Sequence, residues 1–227
     1  MKLNEIVPWG RTFDEYQRMF NLTASDLTKR MLGVGDGPAS FNAESTAAGH
    51  SVVSIDPVYV FSAKELEKRI SDTYETVIEQ MHKNADHYNW SAFQDVDQLG
   101  RERMKAMNLF LSDYEQGKQQ GRYLSNQLPK LPFTNQSFDL VLCSHLLFLY
   151  SEQLSEAFHL ESIHELSRIA GEIRIFPLIS LTGKPSPYLD RVSADCRANG
   201  IQVDIIPVDY HFQKGAYQMM RLTKRVD

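Results

Sequence analysis

Cysteine is scarce in this chain. Cys143 and Cys196 are the only two in 227 residues, and neither has a CxxC or Cys/His spacing around it. That excludes a disulfide framework and a thiolate metal site, and fits free thiols in a reducing cytosol. No HExxH or facial carboxylate pattern is present, so no metal site is expected. His82 with Asp86, and His159 with His164, read as structural or solvated; the second pair is five apart and falls on different helix faces. No run of roughly 18 apolar residues exists, and the opening MKLNEIVPWGRTFDEY lacks an apolar leader core. A cytoplasmic protein with no membrane association is expected. Positive charge is not in excess, with 24 Lys and Arg against 29 Asp and Glu and a net charge of −5. At a sequence pI of 5.8 no long-range field draws nucleic acid. The basic cluster Lys214, Arg221, Lys224 and Arg225 is small and reads as a solvated face. The chain has no internal repeats and no low-complexity tracts.

The most informative stretch is RMLGVGDGPASFNAESTAAGHSVVSID, from Arg30 to Asp56. An apolar run ends in three alternating glycines, Gly33, Gly35 and Gly37. A helix-compatible segment over 39–48 follows, closed by Gly49, and a second apolar run over 51–55 stops at Asp56. Strand, glycine turn, helix, strand and acid let a backbone approach a nucleoside and give its ribose hydroxyls a carboxylate. A phosphate loop also needs glycines, but the Lys of GxxxxGK[ST] is missing.

The rest reads as α/β. Thr12 with Glu15, and Thr23 with Asp26, are capping signals for two short helices before the first strand. Ser62 with Glu65 opens a long helix carrying Leu66, Ile70, Tyr74, Ile78 and Met81 on one face. A polar stretch over 82–100 and a helix over 101–119 follow. A short strand is expected at 122–124 and a buried one at 138–144 (FDLVLCS). Beyond them come a helix over 152–170, a strand over 172–178, a helix over 189–199, and closing strands at 201–208 and 216–222. The length suits one domain over 1–227, with 1–29 a helical cover and 62–120 a helical insertion or lid.

Four segments, in order, carry a resemblance. MLGVGDGPAS, SVVSIDP, LPFTNQSFDLVLCSH and HELSRIAGEIRIFPL are similar to the glycine loop, the second strand with its ribose acid, the fourth-strand region and the fifth-strand region of the class I S-adenosylmethionine-dependent methyltransferases. The chain resembles a separate, bacterial-type subfamily of them. The resemblance implies a doubly wound, mostly parallel seven-stranded sheet whose last two strands pair antiparallel. It implies S-adenosylmethionine as cofactor but says nearly nothing of the acceptor; a small-molecule methyl acceptor is the expected partner. Gly33, Gly35, Asp36 and Gly37 would face the methionine part of the cofactor, and Asp56 the ribose. Pro57 would pack on the adenine, Gln127 and Leu128 would meet its edge, and Ser144 and His145 would lie beside the methyl.

The family most often has an acid where this chain has Gly33. Asp36, inside the loop, opposes a pyrophosphate and suits a sulfonium and an ammonium, so it can replace that acid. It also speaks against a nicotinamide oxidoreductase, as does Ser40 where the last glycine of GxGxxG would fall. Arg11 or Arg18 could hold the methionine carboxylate. His145, at the C-terminal end of a parallel strand, is the candidate general base, with a loop-bonding role as its alternative. Tyr150 is a candidate for lining the acceptor pocket, or else a core aromatic. The NPPY tetrapeptide of DNA amino-methyltransferases is missing. An enzyme transferring methyl to oxygen or nitrogen is one reading; a non-catalytic S-adenosylmethionine-binding or interaction protein, motivated by Gly33, is the other.

Overall fold

The computed structural model describes residues 9–224. The first eight residues of the expected 1–29 cover and Arg225 of the basic cluster lie outside them. Seven strands form one sheet: β1 (Arg30–Val34), β2 (Ser51–Ile55), β3 (Tyr123–Leu124), β4 (Phe138–Ser144), β5 (Ala170–Phe176), β6 (Ile201–Pro207) and β7 (Gln218–Lys224). Their order is β3-β2-β1-β4-β5-β7-β6. The first five run parallel, while β7 is antiparallel to both β5 and β6. This is the sheet that the methyltransferase resemblance implies. Val34 is level with Ile55 on one side and Cys143 on the other, so β1, β2 and β4 end together. The strand order reverses around β1 at that edge, where open α/β sheets bind their ligands.

Alternation along the central strands divides the core. Leu32, Val34, Val141 and Cys143 pack with Ile163 and Leu166 of α5 (Glu156–Ile169) and Val192 of α6 (Leu189–Ala198). Met31, Leu140 and Leu142 face the other way, against Tyr16, Met19 and Phe20 of α1 (Phe13–Phe20) and Phe41 of α2 (Phe41–Ala47). Thr12 and Glu15 form the expected capping box on α1, which supplies two orphan N–H groups with acceptors. The second expected leading helix is only a 3-10 turn over Asp26–Thr28. There Asp26 makes the expected reciprocal bonds with Thr23 through one carboxylate oxygen and pairs with Lys29 and Arg174 through the other.

The segment after β2 divides in two. α3 (Ala63–Lys83) starts on the Ser62–Glu65 capping box. α4 (Val96–Gln119) begins five residues earlier than the periodicity predicts, because the Asp95 side chain accepts from the Gln98 N–H at 2.7 Å. The C-terminal half of α4 is the crossover into β3. Its Phe110 and Tyr114 pack with Tyr59, Leu66 and Tyr123. α3 lies against α4 and reaches over the sheet through Val77 and Met81. Among the described residues no helix is long and apolar enough to cross a membrane.

Candidate functional site

A cleft opens at the C-terminal edge of β1, β2 and β4. Its floor is the glycine loop: Gly35 and Gly37 take φ of +71° and +50°, a region glycine enters without strain. Asp56 holds this loop from β2. One carboxylate oxygen accepts from the Gly37 N–H at 2.9 Å, and the other from the Val58 N–H at 2.9 Å. Tyr59 donates to the Gly37 carbonyl at 2.7 Å. A carboxylate has about four acceptor positions, so Asp56 keeps capacity for hydroxyls. Burial raises its carboxyl to about 6 against these two bonds.

Asp36 does not point outward from the loop. Its side chain folds back over β1, and a Cβ placed on Gly33 would stand 1.8 Å from its Oδ2. The Asp36 carboxylate therefore fills the volume that a side chain at position 33 would take. There it accepts from the Tyr16 hydroxyl at 2.7 Å and the Ser54 hydroxyl at 2.6 Å. Burial raises its carboxyl to about 7; the two hydroxyls oppose this and the nearby Asp56 adds to it. The site thus presents two buried acids at its glycine end, neither of them bonded by a cation.

β4 supplies the opposite wall through Ser144 and His145. His145 has φ +54°, unusual for a residue with a Cβ, and is held by its N–H donating to the Phe176 carbonyl at 2.7 Å. Its Nδ1 lies 2.9 Å from the Ser144 hydroxyl. Burial, then the charges of Arg11 and Arg103, keep the imidazole well below its ordinary pKa and therefore neutral at pH 7. Tyr150 lines the same cleft.

The N-terminal wall carries Trp9, Arg11 and Tyr16. Arg11 donates to the Trp9 carbonyl at 3.1 Å. Its Nε is buried without a partner, and it makes no ion pair among the described residues. Arg18 instead pairs with Asp14 at 2.7 Å on the outer face. Behind this wall Arg103 donates to both carboxylate oxygens of Glu15, and Tyr210 donates to Glu15 at 2.9 Å. α1, α4 and the β6–β7 connection are thereby tied together.

The roof lies partly within the expected lid over 62–120, but none of its residues is among those expected at the site. It is built from Val77 and Met81 of α3, Tyr88, and Tyr210, Phe212 and Gln213 of the β6–β7 connection. Tyr88 and Gln213 form an antiparallel bridge. The Asn89 N–H donates to the Phe212 carbonyl at 2.7 Å, and the Lys214 N–H to that of His87 at 3.0 Å. Tyr88 stacks on Phe212 with ring centroids 4.9 Å apart. The one signal for these residues is aromatic side chains set in polar stretches, YNW and DYHF.

Of the residues expected at a site, Arg11, Gly35, Asp36, Gly37, Asp56, Ser144, His145 and Tyr150 line this cleft. Others do not. Gly33 is buried within β1. Pro57 is exposed at the first position of a 3-10 turn. Gln127 is exposed, and Leu128 faces the apolar core beside Leu131. The histidines read as structural or solvated have separate partners: His82 meets Asp97, and His164 meets Asp195. His159 has both ring nitrogens bonded, to the Ser155 carbonyl and the Phe148 N–H. No cluster of three or more metal-ligating side chains occurs among the described residues.

No family model matches the chain. Uncharacterized protein MJ0045 of Methanocaldococcus jannaschii is 35% identical over 223 residues, 97% of each chain. Being archaeal, it lends no support to the expected bacterial-type subfamily. Among solved structures, WbdD matches with a TM-score of 0.51 and 11% identity over 93% of this chain. The chain spans 39% of WbdD, and the likeness is one of fold. Magnesium protoporphyrin IX methyltransferase (ChlM) from Synechocystis PCC 6803, solved with bound SAM, gives a TM-score of 0.44 and 11% identity over 87% of this chain and 70% of its own.

Proposed function

Since the chain belongs to the same family as MJ0045 of Methanocaldococcus jannaschii, we propose that both carry out S-adenosylmethionine-dependent methyl transfer to an oxygen or nitrogen of a small molecule. The observation that carries this reading is the charge at the glycine loop. Asp36 and Asp56 are both buried there, and the bonds to their carboxylates come from hydroxyls and backbone N–H groups, not from a Lys or Arg. A ligand bearing a sulfonium and an ammonium matches two acids; a pyrophosphate is repelled by them.

The residues present fit that donor. Asp56 is placed to accept from ribose hydroxyls while it holds Gly37 and Val58. The Gly35–Gly37 backbone leaves room for close approach, since a Cβ at Gly37 would meet only Asp56, at 3.8 Å. Arg11, with a free Nε and no acid of its own, suits the methionine carboxylate. When bound, the donor supplies an electrophilic methyl group. The chain's part is to align the acceptor, exclude water with the aromatic roof, and take up the acceptor's proton at His145. Asp36, filling the place of a position-33 side chain, supports the catalytic reading over the non-catalytic one. Two buried, unpaired cysteines, the Cys143 thiol pushed up to about 12 by burial, support work in a reducing cytosol.

Thermal unfolding with S-adenosylhomocysteine, NAD and NADP tests the reading. At a hundredfold excess over its dissociation constant, S-adenosylhomocysteine should stabilise the protein by about 2.7 kcal/mol, and the dinucleotides should not. Stabilisation by NAD alone overturns it.

A further inference from the structure

The connection between β4 and α5 carries part of the cleft wall on irregular backbone. Leu149 and Tyr150 line the cleft, and the residue before them, Phe148, has φ +64°. A residue with a Cβ keeps that left-handed conformation only where its surroundings over-determine it. Resting on the methyl-transfer reading for the cleft, we propose that His159 is its positioning residue: the imidazole fixes the Phe148 backbone and thereby sets Leu149 and Tyr150 in the wall.

The Phe148 N–H is buried and donates to His159 Nε2 at 3.1 Å. On the other side, the Phe148 carbonyl accepts from the Ser151 hydroxyl at 2.5 Å and the Ser151 N–H at 3.2 Å. The Leu149 carbonyl accepts from the Leu181 N–H at 3.0 Å, and Leu181 is itself a lining residue. Nearer β4, Leu146 reaches the glycine loop, since a Cβ at Gly35 would stand 3.0 Å from the Leu146 Cβ. The conformation fixed at Phe148 is therefore felt at the donor end of the cleft as well as at its wall. Without His159 the Phe148 N–H would be buried with no acceptor, and opening of the loop to water would relieve it.

The helix N-terminus makes His159 an acceptor. α5 starts on Ser155, whose hydroxyl accepts from the Phe158 N–H at 3.2 Å. The Ser155 carbonyl accepts from the His159 N–H at 3.1 Å and lies 2.8 Å from His159 Nδ1. A carbonyl only accepts, so Nδ1 bears the hydrogen and Nε2 offers its lone pair to Phe148. The ring is 0% exposed and packs among Phe148, Phe158 and Tyr188, with centroids 5.5, 6.4 and 5.0 Å away. Burial lowers its pKa against the Ser155 bond, and the positive end of α5 also disfavours an imidazolium. The acceptor is thus present at pH 7. Ile163 and Leu166 seat α5 in the core, so an irregular wall is anchored to a rigid element, and less ordering is left to be done when a ligand binds.

Amide hydrogen exchange followed by NMR, on protein with nitrogen-15 in its histidine rings, tests this before any acceptor is known. In the wild type at pH 7, His159 should show Nδ1–H with Nε2 unprotonated; an Nε2–H tautomer overturns the assignment. His159→Leu fills the place of the ring without an acceptor. It should speed exchange at Phe148, Leu149 and Tyr150 roughly tenfold or more, and leave the amides of β4 and β5 unchanged. His159→Gln can place its Oε1 where Nε2 stands and should exchange as the wild type does. In His159→Leu, S-adenosylhomocysteine at roughly a hundredfold excess over its dissociation constant should restore slow exchange at the same amides, because the occupied cleft requires the ordered loop. No acceleration at the loop, acceleration spread over the sheet, equal acceleration in both variants, or a loop still open in the occupied cleft overturns the positioning role. The tautomer and His159→Gln decide the matter even if His159→Leu does not fold. Failure of S-adenosylhomocysteine to bind the wild type overturns the methyl-transfer reading instead, while exchange in the ligand-free variants still decides whether His159 holds the loop.

Discussion

Replacing Arg103 by methionine leaves the Glu15 carboxylate buried without its counter-charge. The side chains of Arg103 and Glu15 are 1% and 4% exposed. Glu15 would keep the Tyr210 hydroxyl at 2.9 Å and the Thr12 N–H at 3.0 Å but lose both guanidinium bonds. Removing one partner of such a pair costs about 3–5 kcal/mol. A second route gives a similar figure. Burial raises the Glu15 carboxyl, yet Arg103 outweighs it and brings the group from 4.5 down to about 2. At about 1.4 kcal/mol for each tenfold change, that depression is worth about 3 kcal/mol. A depressed acid gives stability that is present above its unfolded pKa and lost as pH falls through the folded one. The wild type should therefore lose about 3 kcal/mol from this group between pH 4.5 and 2. In Arg103→Met the sign reverses. Burial now raises Glu15 unopposed, so the variant should be more stable at pH 5 than at pH 7. Urea unfolding followed by tryptophan fluorescence at both pH values measures this. Glu15→Leu combined with Arg103→Met should recover most of the loss, since no charge is left buried. A loss under about 1 kcal/mol at pH 7, or a double variant as unstable as the sum of the singles, would refute the reasoning.

Gly33→Ala should destabilise the protein by about 1–3 kcal/mol, because the new Cβ meets the Asp36 carboxylate at 1.8 Å. Adding Asp36→Ala should restore the fold but not donor binding, as calorimetry and circular dichroism would report. Asp56→Ala should weaken donor binding by about 1.5–3 kcal/mol; unchanged affinity with an intact fold would remove Asp56 from the donor site. His145→Gln should lower turnover by roughly a hundredfold and leave donor affinity nearly unchanged, measured across small phenols, carboxylates and amines; full turnover would leave His145 a loop-bonding role. The raised Asp36 carboxyl makes the ligand-free protein lose stability on the order of 4 kcal/mol as pH rises from 3.8 to about 7. The native state holds this proton longer than the unfolded chain does, so Asp36→Asn should flatten that slope and raise the melting temperature at pH 8.

Strand positions were readable because buried parallel strands announce themselves as short apolar runs. β1, β2 and β4 fall on the residues that pattern selects. Helix starts depended on caps. Ser62–Glu65 was recognised, but Asp95 and Ser155 were not, and α4 and α5 begin there. The second leading helix is only a turn although Thr23 and Asp26 exchange the expected capping bonds, because β1 begins at Arg30, two residues beyond it. At the site, local pattern placed Asp56 and His145 at strand ends. The reversal of Asp36 over Gly33 depends on Tyr16 and Ser54, which are remote in sequence, so no window could contain it. Leu128 was expected at the ligand, but its apolar side chain packs with the core. The roof was the largest omission, because Tyr88 and Phe212 meet only through the closing of two distant connections.

That roof has a consequence for how this family can diversify. The seam between the segment after α3 and the β6–β7 connection is closed by backbone groups of His87, Tyr88, Asn89, Phe212, Gln213 and Lys214. Main-chain bonds are indifferent to which side chain hangs from them. Tyr88, Phe212 and Gln213 can therefore be exchanged for side chains of other shape and polarity while the seam persists. The glycine loop and its acids have no such latitude, since each of their contacts is made by a particular carboxylate or by a missing Cβ. One end of the cleft is free to drift toward new ligands, and the other is held in place.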